Sequence, residues 1–427
     1  MSRTSTSPTR STSETPSEHS IRLNPGELRG GAAILAAVAI MLVAANLRPP
    51  VVSVAPLIDV IRDDLGFSSA TAGLLTTLPV LFFGLTAPIA PRIAARFGIE
   101  RTIFASLALL IVGILLRLIP SVATLFLGSA ILGAAIGVCN VVLPALIKRD
   151  FAHRSGLMTG LYSMTLSGGA AVTAAVMVPM DTALDENWRA SLAMWALLAV
   201  VAMAVWVPQL RRVHTVAVGP RAPGLWTNPI AWAITVYMAA QSFIFYTFSA
   251  WLPQYLIDNG STPSSAGNVL AIGQVVALIM SLVAPIIAGR FADQRLVTLA
   301  FLAVCTAGFV GLVFTDHATV LWVCMVMAGP GAAISLALLF MVLRSSSATQ
   351  TGQVSGMSQS VGYILAAAGP IAIGWIHDVT GSWSLAFGVL ALAVIPQALA
   401  TLLAAKNVRM PSHLDRSNGP PVPGVLR

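Results

Sequence analysis

Residues 31–58 read GAAILAAVAIMLVAANLRPPVVSVAPLI, and Arg48 is the one charged side chain among these 28 residues. A helix needs about 20 predominantly apolar residues to cross the hydrocarbon core of a bilayer. This run is long enough, so it predicts a membrane span. An arginine at hydrocarbon depth is costly and points to function by default. Its neighbours Pro49 and Pro50 lack the N–H that helical hydrogen bonding needs, so carbonyls one turn earlier, near Ala45 and Asn46, lose their partners. Such freed groups are tolerated within a membrane only where protein or water meets them.

The rest of the chain has the same character. Of 427 residues 56% are apolar and 9% charged, where a soluble domain carries about a quarter charged. Uncharged apolar runs predict twelve spans, at 30–58, 69–91, 102–119, 121–147, 155–180, 189–208, 229–257, 264–288, 296–314, 319–343, 353–377 and 382–404. The runs are too long and too uniformly apolar for barrel strands, so the expected fold is an all-α integral membrane protein.

Basic residues set the expected orientation. With the N-terminus cytoplasmic, inner tails and loops hold twenty of the 24 Lys and Arg, leaving Arg48, Arg62, Arg117 and Arg189 elsewhere. Both termini are therefore expected inside, and the net charge of +8 is a topology signal, not a nucleic-acid surface. Arg117, at an outer helix end, reads as an anchor. The segments 1–28 and 406–427, rich in Ser, Thr, Arg and Pro, read as disordered cytoplasmic tails. The first span carries no A-x-A-like cleavage site after it and reads as retained. Cys139, Cys305 and Cys324 fall within apolar runs without metal-ligand spacing and read as packing residues, and the six histidines are scattered.

The linker 209–228 divides the chain into six-helix halves, 29–208 and 229–405. The halves repeat each other: a slide of 196 residues pairs Gly133 with Gly329, Lys148 with Arg344, Gly156 with Gly352 and Gly160 with Gly356, and a slide of 197 sets Ala87-Pro88 over Ala284-Pro285. Internal repeats of this kind mark secondary transporters, in which two bundles rock about a site near mid-membrane. Enzyme and ATP-driven readings fail for want of a Ser/His/Asp set, a metal cluster or a G-x-x-x-x-G-K-S/T phosphate loop.

Within that expectation, Arg48 binds solute or gates, the alternative being a structural ion pair or a head group that snorkels to the outer surface. Its guanidinium stays protonated and offers a planar fork of donors to anions or planar polar groups. The aspartates Asp59, Asp181, Asp258, Asp316 and Asp378 all sit at outer ends, leaving no acid well inside the spans to neutralise it. Proton coupling would have to use Asp59 or be lacking. Other polar candidates in helices expected to line a central cavity are Asn46, Asn140 before Pro144, Tyr162, Gln241, Tyr246 and Trp251, and Gln359 with Tyr363, which share a helix face at a spacing of four. No cofactor or metal is expected.

The loops PRIAARFGIER and GRFADQR resemble the short basic loop Gly-x-x-x-Asp-Arg/Lys-x-Gly of the major facilitator superfamily. Gly289 and Asp293 match it in the second copy. The first has Pro91 and Ala95 in place of the glycine and acid but keeps Arg96 and Gly98. Gly289, Asp293 and Arg96 are therefore gating candidates, able to bridge the bundles at the inner side. The runs NLRPPVVSVAPL, NVVLPALIKRDF, SGLMTGLYSM, QSFIFYTFSAWLP and MSQSVGYILAAAGP resemble the cyanate and nitroimidazole transporter (CynX/NimT-like) group of that superfamily. The resemblance implies twelve helices in two pseudo-symmetric bundles, transport of a small polar solute, and a bacterial cytoplasmic membrane. It carries over Asn46 and Arg48 as pathway residues. The expected function is secondary or facilitative transport of a small anion or polar heteroaromatic by a monomer, the alternative being a multidrug effluxer of the same fold. An effluxer of cationic compounds would favour more than 7% aromatics and an intramembrane acid.

Overall fold

A computed structural model describes residues 30–67, 69–212, 225–315 and 317–411; most of both expected tails, the centre of the linker and Asp316 lie outside the described residues. Among the described residues every regular element is helical. We label the spans α1 (Gly31–Leu57), α2 (Ser69–Thr86 continued by Ala90–Phe97), α3 (Ile99–Leu116), α4 (Val122–Asp150), α5 (Ala152–Ala183) and α6 (Trp188–Arg211). The second set is α7 (Pro229–Asp258), α8 (Ser265–Ala288), α9 (Arg295–Phe314), α10 (Thr319–Arg344), α11 (Ala348–Thr380) and α12 (Trp383–Ala404). Eleven are long and apolar enough to cross a membrane, and α2 is the twelfth, bent by 57° between its two pieces. Pro88 causes the bend, because it cannot donate to the preceding turn.

The bend changes the reading of the loop PRIAARFGIER. Pro91 sits in the first turn of Ala90–Phe97, where a missing N–H costs nothing. Gly98 alone, at φ 88°, turns the chain into α3. Glu100 consequently falls in the first turn of α3, not in a loop. It is buried, and a carboxylate oxygen lies 2.7 Å from Nη1 of Arg149 at the end of α4. The one-residue turn thus places this carboxylate at the helix N-terminus that favours it, at the inner end and not well inside the span.

Packing repeats between the halves. In the first, α4 packs on α2 and α3, and α1 packs on α5 and α6; in the second, α10 packs on α8 and α9, and α7 packs on α11 and α12. Apolar side chains such as Leu81, Leu197, Phe314 and Ile371 are exposed on the periphery, whereas Asn140, Gln241, Gln359 and Ser355 are buried. That inversion suits a lipid exterior.

The halves touch through α5 on α8 and α11 on α2, with α11 also against α4. A β-carbon on Gly156 would lie 2.6 Å from the Pro285 carbonyl oxygen and 3.2 Å from the Gly289 Cα; one on Gly356 would lie 2.6 Å from the Ala87 carbonyl oxygen. Gly156, Gly356, Ala87 and Pro285 each belong to a pair of the internal repeat, with Gly352, Gly160, Ala284 and Pro88. They lie at the end that carries Lys148, Arg154, Arg290 and Arg344, and that end is shut. Further along, Ser360 Oγ donates to the Gly84 carbonyl at 2.9 Å, near mid-height.

Candidate functional site

The first span is broken where its sequence says it should be. Helix Gly31–Ala45 closes with the amides of Asn46 and Leu47 donating to Val43 and Ala44, a tightened last turn. Arg48 then caps a new short helix, Pro49–Val52, whose first two positions are the prolines. The Arg48 carbonyl accepts from the amides of Val51 and Val52. Asn46 Nδ2 donates to the Leu42 carbonyl at 2.8 Å and to the Leu198 carbonyl of α6 at 3.3 Å. It therefore ties the end of the first helix to α6 and does not join the Arg48 contacts.

Arg48 is half-buried, and its side chain crosses to the other half. Nη1 donates to the Tyr246 hydroxyl of α7 at 3.0 Å. The Tyr363 hydroxyl of α11 is within hydrogen-bond reach, and Tyr162 of α5 is close enough to act on the guanidinium through space. Three of the chain's five tyrosines thus surround one arginine. Among the described residues no carboxylate pairs with it. Below the ring, Tyr162 Oη donates to Asn140 Oδ1 at 3.3 Å, and Gln359 Nε2 donates to the Asn140 carbonyl at 2.9 Å and to Ser355 Oγ at 2.7 Å. Gln359 and Tyr363, one turn apart, both face the first half. Phe83 of α2, buried, meets Tyr363 edge to face at 5.8 Å.

Such a site is rich in donors. A guanidinium has five N–H groups, and a phenol that accepts from arginine keeps its own O–H for a ligand. Charge-assisted donors of this kind suit an anion or the oxygens of a polar planar solute, and the Phe83 and Tyr363 rings supply an apolar wall.

The remaining candidates lie elsewhere. Gln241 is buried, donating to Ser242 Oγ at 2.6 Å and to Met238 Sδ on its own helix. Trp251 Nε1 donates to the Pro370 carbonyl at 2.8 Å and braces α7 on α11. Of the gating candidates, Gly289 lies at the contact between halves. Asp293 is chelated by Arg295 two residues on, Nη2 to Oδ2 at 2.7 Å, within its own half. Arg96 is exposed and stacks over the ring of Phe97. Local geometry explains the difference: an arginine at i+2 reaches the carboxylate before any group across the interface can. The Asp59 side chain lies outside the described residues.

Arg117 corrects the sequence reading. It is not an outer anchor but 1% exposed, with Nη1 on the Pro50 carbonyl at 2.8 Å and Nε and Nη2 on Ser129 Oγ. Phe83 and Ser355 were also missed, since neither carries a local signal beyond lying in an apolar or small-residue run.

The model of the Major Facilitator Superfamily matches residues 30–370. The 2-nitroimidazole transporter of Escherichia coli (strain K12) is 38% identical over 385 residues, 89% of this chain and 98% of that protein. This chain belongs to the major facilitator superfamily, within its CynX/NimT-like family. The cyanate transport protein CynX of the same organism is 32% identical over 378 residues, 87% of this chain and 97% of that one. The solved E. coli fucose:proton symporter shares the fold alone, with a TM-score of 0.70 at 14% identity, over 88% of this chain and 98% of that chain. The superfamily member described here is therefore a multi-pass membrane transporter of a small solute, not an enzyme, with twelve helices in two pseudo-symmetric sets.

Proposed function

We propose that this transporter moves a small anion or small polar heteroaromatic across the cytoplasmic membrane by alternating access, with Arg48 binding the solute. The observation that carries the reading is Arg48 itself: half-buried near mid-height, ringed by tyrosines from both halves, and unpaired with any described carboxylate. A solute that neutralises the guanidinium while contacting Tyr246 and Tyr363 would couple its own binding to the relation between the halves. The related nitroimidazole and cyanate transporters support the size and polarity of the solute. A cationic drug would meet the wrong charge, which argues against the effluxer alternative.

The basic, shut end is assigned to the cytoplasm by the positive-inside bias, so the described conformation corresponds to an outward-facing state with both termini inside. Gly289 serves this closure, with Asp293 and Arg96 shaping its inner rim. The binding residues α1, α5, α7 and α11 contribute all come from one chain, which supports a monomer as the working unit. Among the described residues, phenols and amides and no carboxylate stand near Arg48, so proton coupling there would have to use Asp59, whose side chain lies outside them.

Uptake and counterflow in proteoliposomes, against cyanate, nitrate, short carboxylates and nitroimidazoles, tests the proposal. Truncating a buried, hydrogen-bonded charge costs about 2–5 kcal/mol. Arg48→Gln should therefore raise KM for the transported solute roughly 30-fold or more, and Arg48→Lys, which keeps charge but loses the fork, by less. Wild-type rates with normal saturation in both variants would remove Arg48 from the binding site.

A further inference from the structure

Arg117 is as buried as any charged group in the fold, and every described contact it makes is to a neutral acceptor. Nη1 donates to the Pro50 carbonyl at 2.8 Å, Nη2 and Nε donate to Ser129 Oγ at 2.9 and 3.2 Å, and Ser129 Oγ in turn donates to the Leu125 carbonyl at 2.7 Å. Among the described residues no carboxylate accompanies it. Burying a guanidinium is expensive, and a structural brace between α3 and α4 would not need one. What the fork reaches that a smaller donor would not is the carbonyl of the second proline, two residues past Arg48.

We infer that Arg117 is a positioning residue: clamped by Ser129, it holds the Pro50 carbonyl and so sets the angle at which the Arg48-Pro-Pro break presents the Arg48 guanidinium to Tyr246 and Tyr363. Asn46 holds the helix before the break to α6 and Pro49 packs beside Gly169; of the described side chains, Arg117 is the one that takes hold of the Pro50 carbonyl within the short turn itself. Backbone hydrogen bonding tightens before Arg48 and restarts after it, and the short helix tightens again into a 3-10 turn at Ala55–Leu57. A carbonyl projecting sideways from that short turn is the lever through which a neighbouring helix can orient it. On the proposed function, the chain then uses one arginine to bind solute and a second to aim the first. The clamp can be tested without that reading.

The test is phenylglyoxal modification of arginines in the full-length protein in nanodiscs, read by peptide mass spectrometry. Arg344, also buried but at the opposite end of the fold, is the internal control. Ser129→Ala leaves Arg117 without its fixed acceptor, and Arg117→Lys removes the fork. Either should raise the labelling rate of Arg48 by about tenfold or more, since Ser129→Ala alone removes two hydrogen bonds from a charged group and about tenfold corresponds to the loss of one, with Arg344 unchanged. An unchanged Arg48 rate in folded Ser129→Ala protein overturns the inference, as does a parallel rise at Arg344, which would mean general loosening. If Arg117→Lys does not fold, Ser129→Ala decides alone. Because the readout is arginine reactivity and not flux, failure of the clamp and failure of Arg48 as solute ligand are told apart.

Discussion

Closure of the basic end depends on Gly356, and adding one methyl there should reopen it. In the described conformation a β-carbon at this position would lie 2.6 Å from the Ala87 carbonyl oxygen and 3.4 Å from Pro91 Cγ. Ordinary contact begins at about 3.4 Å, so α2 and α11 would have to part by roughly 0.8 Å, and the obstacle is backbone that no rotamer change removes. Overpacking of this kind costs about 1–3 kcal/mol, and Gly356→Ala charges it only to the state in which this end is shut. Under the proposed rocking motion the ratio of open to shut then rises roughly 5- to 150-fold. Spin labels at Ala95 and Thr349, which line the same narrow gap between α2 and α11, would report it by pulsed dipolar spectroscopy as growth of a longer-distance population. Gly267→Ala, where a β-carbon meets nothing within 4 Å, is the control and should leave the distribution alone. If Gly356→Ala protein is folded and its distances match wild type, the steric argument is wrong.

Tyr246→Phe removes the acceptor for Arg48 Nη1 and should weaken solute binding by about 1–3 kcal/mol, seen as a higher KM at unchanged expression. Glu100→Gln takes away one of the two carboxylates on Arg149, and because Asp150 remains in contact, thermal unfolding in detergent should show a loss of only about 1–3 kcal/mol. Asp293 offers a pH prediction: hydrogen bonds from Arg295 hold its carboxyl below the usual carboxylate range. A depressed folded-state value adds stability above the unfolded value, near 3.9, that is lost as pH falls through the folded one. Asp293→Asn should thus flatten the acid limb of a melting-temperature profile below about pH 4 and change little at neutrality, the more so since the side chain is 38% exposed and screened.

Much of this molecule is written in its hydropathy. Twelve spans, the two-half repeat and the break at Arg48 follow from composition, periodicity and proline chemistry, because in a bilayer each backbone group must be satisfied within its own helix and the sequence has little freedom to hide a span. The repeat even marks Gly156 and Gly356, which close the basic end. Local rules also exposed Arg48 as a charge that needs a reason. Partners were another matter. That Tyr162, Tyr246 and Tyr363, 84 and 117 residues apart along the chain, converge on one guanidinium depends on how α1, α5, α7 and α11 are rotated about their axes, and helices apolar on all sides carry no stripe to fix that rotation. For the same reason Asn46 looked like a neighbour of Arg48 but turns to α6. Arg117 looked like an anchor but reaches inward to Pro50, and Glu100 looked like a loop residue until the single-residue turn at Gly98 drew it into α3. Sequence by itself determined which segments enter the membrane and where one of them breaks; the tertiary structure decided which side chains meet there, because contact between helices is a property of their relative rotation and no single helix encodes it.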